Sequence, residues 1–185
     1  QRCSQNLRQL GLALHAYHDT FQVLPPAAFW SGEMVRDKEN LRTTGTIAVT
    51  HQNWVQLLLP FVGEESLAEQ FDPSQPIVSE SNRAARCTEL AVMQCPLDPY
   101  NRPDNQCEWV GGKYARETYA INMGVRWFYD VPGDIISPRA WGYTEVVDFE
   151  AKHFEAYGDG VGGINKCFRL DEFTNGQSTM VALDE

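Results

Sequence analysis

Residues 3–19, with the sequence CSQNLRQLGLALHAYHD, carry the pattern that decides the fold of this chain. Their apolar side chains, together with Phe21, recur at intervals of three or four residues, which places them along one side of an α-helix. The members of this apolar stripe are Cys3, Leu7, Leu10, Leu14, Tyr17 and Phe21. Because proline does not allow a helix to continue, Pro25-Pro26 marks its end.

The stripe begins at Cys3 without any preceding signal for a helix start. We therefore expect residues 1–20 to be the end of a longer helix that begins before Gln1. The polar side of this helix faces water, so its apolar side needs a cover, which we expect to be an antiparallel sheet. The predicted packing residues are Leu7, Leu10, Leu14 and Tyr17.

The rest of the chain divides into a mixed helical and loop segment, residues 21–117, and a mainly β segment, residues 118–185. The mixed segment predicts a loop over 27–46, a short strand at 47–49, a short helix or strand at 54–61, and helical turns at 64–71 and 82–93. The β segment predicts strands at 119–122, 125–129 and 143–149, and a pair formed by 167–170 and 179–183. This order predicts a single α+β domain over residues 1–185.

Composition narrows the classes of function. Apolar residues make up 43% of the 185 residues, which is enough for a sizeable core. The formal net charge of −10 predicts a surface that repels nucleic acid and anionic lipid headgroups. An acidic surface suits calcium, cationic partners or plain solubility.

The five cysteines are Cys3, Cys87, Cys95, Cys107 and Cys167. The sequence contains no C-x-x-C motif, so thioredoxin chemistry and paired zinc knuckles lack their usual spacing. Scattered cysteines favour an oxidising compartment, and an odd number leaves at least one unpaired within the chain. Buried free thiols in a cytosolic protein are the alternative.

Four stretches, in order, resemble the planctomycete-type family of prepilin-like proteins of unknown function, which is related to type II secretion pseudopilins. Typical members have the motifs C-x-N-N-L-K-Q-I-G-L-A-L-H-N-Y-H, W-x-x-x-L-L-P-Y, C-P-S-D-P and D-G-T-S-N-T. The corresponding stretches here are residues 3–19 with Pro25-Pro26, Trp54 with 58–61, 95–99 followed by 118–122, and 171–185. Leu97 stands where the family has serine, and Asn175-Gly176-Gln177 replaces Asp-Gly-Thr.

The resemblance implies a pilin-like structural subunit of a pilus, pseudopilus or other surface filament, located outside the cytoplasm and without catalytic activity. It also implies a cleaved leader and an apolar helix of ~20 residues before Gln1, the only membrane contact, and further segments beyond Glu185. The implied partners are further copies or other pilin-like subunits. The family analogy pairs Cys3 with Cys95 in a disulfide.

Calcium is the cofactor that the resemblance suggests, because pseudopilin-like proteins often stabilise a β-loop with it. Acidic loops supply the oxygen ligands that this ion prefers. The candidate ligands are Asp98, Asp104, Asp148, Glu150 and Asp159. They form no EF-hand pattern, and a solvated acidic face is the preferred interpretation.

Two other patterns have a simpler interpretation beside a functional one. Residues 158–163 match G-x-G-x-x-G, but without clear strand and helix signals around them they indicate a glycine turn rather than a dinucleotide site. His15 and His18 have the spacing of a shared metal site on a helix, although a hydrogen-bonding role at the helix end is preferred.

Two alternative functions stay open. The tryptophans suggest a surface module that binds glycans or other polymers by aromatic stacking, although most are expected in the core or at subunit contacts. These residues are Trp30, Trp54, Trp109, Trp127 and Trp141. A hydrolase would require His51, His153 and carboxylates to converge in one pocket.

Overall fold

The architecture is given by a computed structural model, which describes residues 2–37, 42–100, 108–109, 112–122, 146–152, 160–163, 165–173 and 181–184. Over these residues it combines one long helix, several short helical segments and three small antiparallel sheets. The α+β class predicted from the sequence is therefore confirmed. The predicted strand 125–129 lies outside the described residues, as do residues 179 and 180 of the strand predicted at 179–183.

Helix α1, Arg2–Phe21, is the longest helix among the described residues at 20 residues, and its apolar side faces the core as predicted. Its buried residues are Cys3, Leu10, Ala13, Leu14 and Tyr17. Leu7 is partly buried, whereas Phe21 is 55% exposed although its ring contacts those of Tyr17 and Phe61. Phe21, which was not among the predicted packing residues, shows that the stripe becomes exposed in the last turn of α1. No helix in the described ranges is long and apolar enough to cross a membrane.

The largest sheet has three antiparallel strands in the order β1-β2-β6. These strands are β1, Ala28–Asp37, β2, Arg42–Asn53, and β6, Val146–Lys152. The register runs from Ala28 opposite Asn53 to Asp37 opposite Arg42, with an irregularity between Phe29 and Ser31. On its other side, β2 pairs with β6, so it is the central strand of this sheet.

The loop predicted for residues 27–46 is therefore wrong, since β1 and residues 42–46 of β2 lie in this range. The run from Ala28 to Asp37 lacks a clean alternation of apolar and polar residues, so it gave no strand signal. It forms a strand because β2 supplies the backbone partners, and β2 in turn pairs with a segment about a hundred residues away. Such long-range pairing overrides a weak local preference.

Two smaller sheets have two strands each. Strands β3, Glu108–Trp109, and β4, Gly112–Lys113, form one of them. Strands β5, Ala120–Ile121, and β7, Leu183–Asp184, form the other. The predicted pairing of 167–170 with 179–183 is wrong, because β7 pairs with β5 and Leu170–Glu172 forms a 3₁₀ turn.

The middle of the chain contains short helical segments. They are α2, Trp54–Leu58, a 3₁₀ turn Leu59–Phe61, α3, Glu65–Ala68, a 3₁₀ turn Glu80–Asn82, α4, Arg83–Arg86, and a 3₁₀ turn Ala91–Met93. The Asn53 side chain caps α2 by accepting a hydrogen bond from the Val55 amide at 3.1 Å. The single helix predicted over 82–93 is wrong, because the backbone is extended at Leu90 and interrupts it.

The core lies between α1 and these short segments. Among the described residues, the elements that contact α1 most are α2 and the turns Leu59–Phe61 and Ala91–Met93. The helix therefore covers its apolar side mainly with other helical segments, whereas a sheet was expected. The buried aromatic rings of Trp54 and Tyr119 complete this core.

Candidate functional site

The start of α1 is bonded covalently to the middle of the chain. Cys3 and Cys95 form a disulfide with a Cα–Cα distance of 4.8 Å, as the family resemblance implied. Both residues belong to the core, and Cys95 has no exposed surface. A bond between residues 92 positions apart limits how far this helix can move from the rest of the protein.

Polar contacts reinforce the same attachment. The Asn6 side chain donates hydrogen bonds to the carbonyl oxygens of Ala91 at 3.2 Å and Gln94 at 2.9 Å. The hydroxyl of the fully buried Tyr119 donates to the Cys3 carbonyl at 3.2 Å. Because buried polar groups are costly unless they are paired, these bonds fix the first turns of α1 relative to both segments. We call this set of residues the helix anchor.

Asp98, one of the calcium candidates, holds the turn that follows Cys95. Its carboxylate accepts hydrogen bonds from the Tyr100 amide at 2.9 Å and the Thr118 hydroxyl at 3.2 Å. The same Thr118 oxygen accepts a hydrogen bond from the Cys95 amide at 3.1 Å. Both carboxylate oxygens thus serve the local structure of the anchor. Leu97, at the position of the family serine, is 79% exposed at the tip of this turn.

The structure places the other calcium candidates only in part. Asp148 and Glu150 lie in β6, opposite Thr46 and Thr44 of β2. Asp104 and Asp159 lie outside the described residues. Within the described ranges, no three histidine, cysteine, aspartate or glutamate residues are grouped as ligands for one ion.

The glycine-rich segment packs inside the protein. Residues 160–163 are buried, and the amides of Val161 and Gly162 donate to the Asn122 carbonyl at 2.9 and 3.4 Å. A Cβ atom at Gly162 would lie 3.0 Å from the Ala27 nitrogen. Gly163 then forms a bridge with Lys166 instead of starting a helix. These contacts support the glycine-turn interpretation, since a phosphate loop requires a helix at this point.

Of the four histidines, the structure describes the side chains of His15 and His18. His15 is exposed, whereas the Nε2 atom of His18 accepts a hydrogen bond from the Leu170 amide at 3.5 Å. His51 lies in β2, and His153 lies outside the described residues. The hydrogen bond supports a structural role for His18.

The tryptophans of the glycan hypothesis are only partly placed. Trp54 is a core residue with 4% of its surface exposed, so it offers no face for a sugar. Trp30 and Trp109 lie in β1 and β3, while Trp127 and Trp141 lie outside the described residues.

Two groups near the end of α1 have raised pKa values. Partial desolvation by neighbouring protein atoms raises the pKa of the Cys167 thiol although the residue keeps an exposed surface, and the raised pKa favours the protonated form over the nucleophilic thiolate. The pKa of Tyr17 is also raised, mainly by burial and secondly by the charge of Cys167. These directions disfavour a cysteine nucleophile at this position.

Asn82 and Arg86, two buried polar residues of the middle segment, were not predicted to have a structural role. The Asn82 side chain accepts a hydrogen bond from the Asp72 amide at 2.7 Å and donates to the Pro76 carbonyl at 3.0 Å. The Arg86 guanidinium donates to the carbonyls of Ser79 at 2.6 Å and Lys113 at 3.2 Å. Both residue types are usually exposed, so nothing in the sequence indicated that they bind buried backbone.

A third polar cluster borders the helix anchor. The Arg116 guanidinium forms an ion pair with Glu89 at 3.0 Å, and Gln94 donates a hydrogen bond to the same carboxylate. The Arg116 Nη1 atom is buried without a hydrogen-bond partner in the structure. The ion pair with Glu89 therefore holds the Arg116 side chain in place. The unpaired Nη1 atom makes the burial of this side chain less favourable.

Comparison with known proteins gives one match. Residues 1–185, the whole chain, match the model of the family SBP_bac_10, described as "Protein of unknown function (DUF1559)". The chain belongs to this family. No curated protein and no solved structure matches it.

Membership of DUF1559 confirms the coarser part of the resemblance, a planctomycete-type family of unknown function. The DUF1559 model covers all residues of the helix anchor, including Cys3, Cys95 and Tyr119. The family description contains no activity, ligand or partner, so any function has to be argued from the residues themselves.

Proposed function

We propose that this DUF1559 chain is the non-catalytic body of a subunit in a pilus, pseudopilus or other surface filament. The observation that carries the proposal is the helix anchor, which fastens the start of a 20-residue helix to the core by a buried disulfide. A subunit assembled through a helix must transmit contacts from that helix to its body. A covalent bond and the Asn6 and Tyr119 hydrogen bonds serve this purpose.

The same disulfide supports a location outside the cytoplasm. Disulfides persist in oxidising compartments and are rare where thiols are kept reduced. A bond that joins residues 3 and 95 closes a large loop and constrains the unfolded chain strongly. The acidic surface, with a net charge of −10, favours solubility in such a compartment and disfavours binding to nucleic acid.

The proposal is tested by fractionating cells that produce the protein. Surface filaments are sheared off, pelleted by ultracentrifugation and probed with an antibody raised against residues 1–185. All fractions are denatured in an alkylating reagent to count free thiols. We expect the chain in the sheared pellet with Cys3 and Cys95 protected from alkylation. Recovery in the cytosol with both thiols alkylated would overturn the proposal.

A matched pair of variants sharpens this test. Cys3→Ser with Cys95→Ser removes the anchor disulfide, and Cys167→Ser removes an exposed free thiol at the other end of α1. We expect the double variant to disappear from the sheared pellet while Cys167→Ser remains there. Equal amounts of both variants in the pellet would show that the helix anchor has no role in assembly.

Glycan binding and calcium binding remain predictions. Neither is favoured by a specific contact in the described residues, because Trp54 is in the core and the Asp98 carboxylate already accepts two hydrogen bonds. Titration with calcium, followed by thermal unfolding, would reveal a bound ion as a rise in the unfolding temperature.

A further inference from the structure

The outward side of α1 presents an exposed leucine between polar side chains. Leu12 is 60% exposed and lies about 200° around the helix from the buried Leu10, so it faces directly away from the core. Arg8 and His15, one turn to either side of Leu12, are also exposed. A Cβ atom placed on the neighbouring Gly11 would meet nothing within 4 Å. An open apolar position thus lies between polar side chains.

The charge of this helix is opposite to that of the chain. Helix α1 carries Arg2 and Arg8 against the single acidic residue Asp19, whereas the chain as a whole has a net charge of −10. Neither arginine takes part in an ion pair with another described residue. Their charges are therefore available to a partner. We call the surface formed by Arg8, Leu12 and His15 the outer face of α1.

A complementary surface lies around α3. Glu64, Glu65 and Glu69 are all exposed, and none of them forms an ion pair among the described residues. Helix α3 contacts the turn Leu59–Phe61, which also contacts α1, so both surfaces are supported by the same core. We call these three glutamates the α3 acidic patch.

We infer that the outer face of α1 of one molecule binds the α3 acidic patch of a second copy of this chain. The inference rests on the proposed function and names the partner in it. Opposite charges favour this pairing and disfavour contact between two copies of either surface. Because the two surfaces are different, the contact is heterologous. Such contacts propagate into open filaments when they do not close into a ring.

Sedimentation velocity of the purified chain of residues 1–185, with its disulfide intact, tests this inference. We expect association that strengthens with protein concentration and weakens between ~0.05 M and ~0.5 M salt, because screening acts on exposed charges. Arg8→Glu is expected to weaken it by about tenfold. The control is Arg83→Glu, which changes the net charge equally at an exposed arginine outside both surfaces.

A charge exchange gives the decisive comparison. Arg8→Glu alone and Glu65→Lys with Glu69→Lys alone are each expected to associate about tenfold more weakly than the wild type, whereas their equimolar mixture associates more strongly than either variant alone because each supplies the missing complement. A monomeric wild type, an equal loss in Arg83→Glu, or a mixture that associates no more strongly than either variant alone would each overturn the inference. All substituted residues are exposed, so unchanged thermal unfolding is expected and is measured for each variant.

The two proposals fail separately. If the chain is found in sheared filaments but shows no salt-sensitive association, the contact between α1 and α3 is refuted and the filament function stands. If the purified chain associates as described but fractionates with the cytosol, the contact is supported and the filament function is refuted.

Discussion

Gly162 is packed so closely against the backbone of other residues that a side chain with even one carbon atom would not fit. Its missing Cβ would lie 3.0 Å from the Ala27 nitrogen and 3.2 Å from the Pro25 carbonyl oxygen. We expect Gly162→Ala to lower the free energy of unfolding by about 1–3 kcal/mol, because neither backbone atom can move alone. Urea titration monitored by circular dichroism measures this change.

Gly11 provides the matched control for that substitution. A Cβ atom at Gly11 meets no atom within 4 Å, and the residue lies inside α1. We expect Gly11→Ala to raise the free energy of unfolding by about 0.5–1 kcal/mol through its higher helix propensity. Destabilisation by both substitutions would contradict the packing described for the glycine segment.

Asn82 concentrates several hydrogen bonds on one buried amide, which has 1% of its surface exposed. We expect Asn82→Ala to lower the free energy of unfolding by about 2–4 kcal/mol, since the Asp72 amide and the Pro76 carbonyl lose their partner. Gln70→Ala is the control, because this exposed amide makes one hydrogen bond to Ser66. A loss below ~0.5 kcal/mol for Asn82→Ala would show that water replaces the amide.

Glu117 gives the chain a dependence on pH. Desolvation raises its pKa from 4.5 to about 7. The folded state therefore binds the Glu117 proton more tightly than the unfolded state does. This proton contributes its full stabilisation of the fold below pH 4.5, and the contribution is lost as the pH rises through about 7. The residue also keeps an exposed surface, so water reduces this effect. We expect a smaller fall in unfolding temperature between pH 5 and 8 in Glu117→Gln, and an unchanged profile would refute this assignment.

At the scale of elements, the sequence predicts those helices and strands whose own residues carry a strong periodic pattern. The spacing of Leu10, Leu14 and Tyr17 predicts α1 because the period of a helix is imposed by its own geometry. Strand β1 has no such signal. It lacks an alternation of apolar and polar residues and forms because its backbone pairs with β2. The break at Leu90 was also missed, because propensity does not indicate where a chain must turn to reach the helix anchor.

The orientation of α1 can be tested by two leucines. Leu10 is 1% exposed and Leu12 is 60% exposed, although only two positions separate them. We expect Leu10→Ala to lower the free energy of unfolding by about 2–5 kcal/mol through loss of burial and formation of a cavity. Leu12→Ala should change it by less than ~0.5 kcal/mol. Chemical denaturation decides between them, and similar costs at both positions would show that the buried side of α1 is misplaced.

For the candidate site, the pairing of the cysteines was predicted from the family motif, because the chemistry of the residues alone left it open. Cys3 and Cys95 were paired by analogy, and the structure places them in one bond. The supporting contacts of Asn6 and Tyr119 were not predicted, since a hydrogen bond to a distant backbone carbonyl leaves no trace in local sequence. Arg86 was missed for the same reason.

At the scale of the whole molecule, the disulfide determines how the parts stay together. We expect Cys3→Ala with Cys95→Ala to lower the free energy of unfolding by about 2–5 kcal/mol, because the unfolded chain regains the freedom of a large loop. Cys167→Ala, which removes an exposed free thiol, should cost less than ~0.5 kcal/mol. Denaturant unfolding of the three proteins tests this, and equal stability of all three would refute it.

The position of this bond has a mechanical consequence. Tension applied to the first turn of α1 passes through the sulfur atoms of Cys3 and Cys95 directly to the residues beyond position 95. The enclosed residues 4–94 carry none of that pull, and this span includes the rest of α1, all of β1 and β2, the Asn82 contacts and the hydrogen bond between Arg86 and Ser79. A stretched molecule would therefore extend from its later segments first, and residues 4–94 could not be drawn out until the sulfur–sulfur bond is cut.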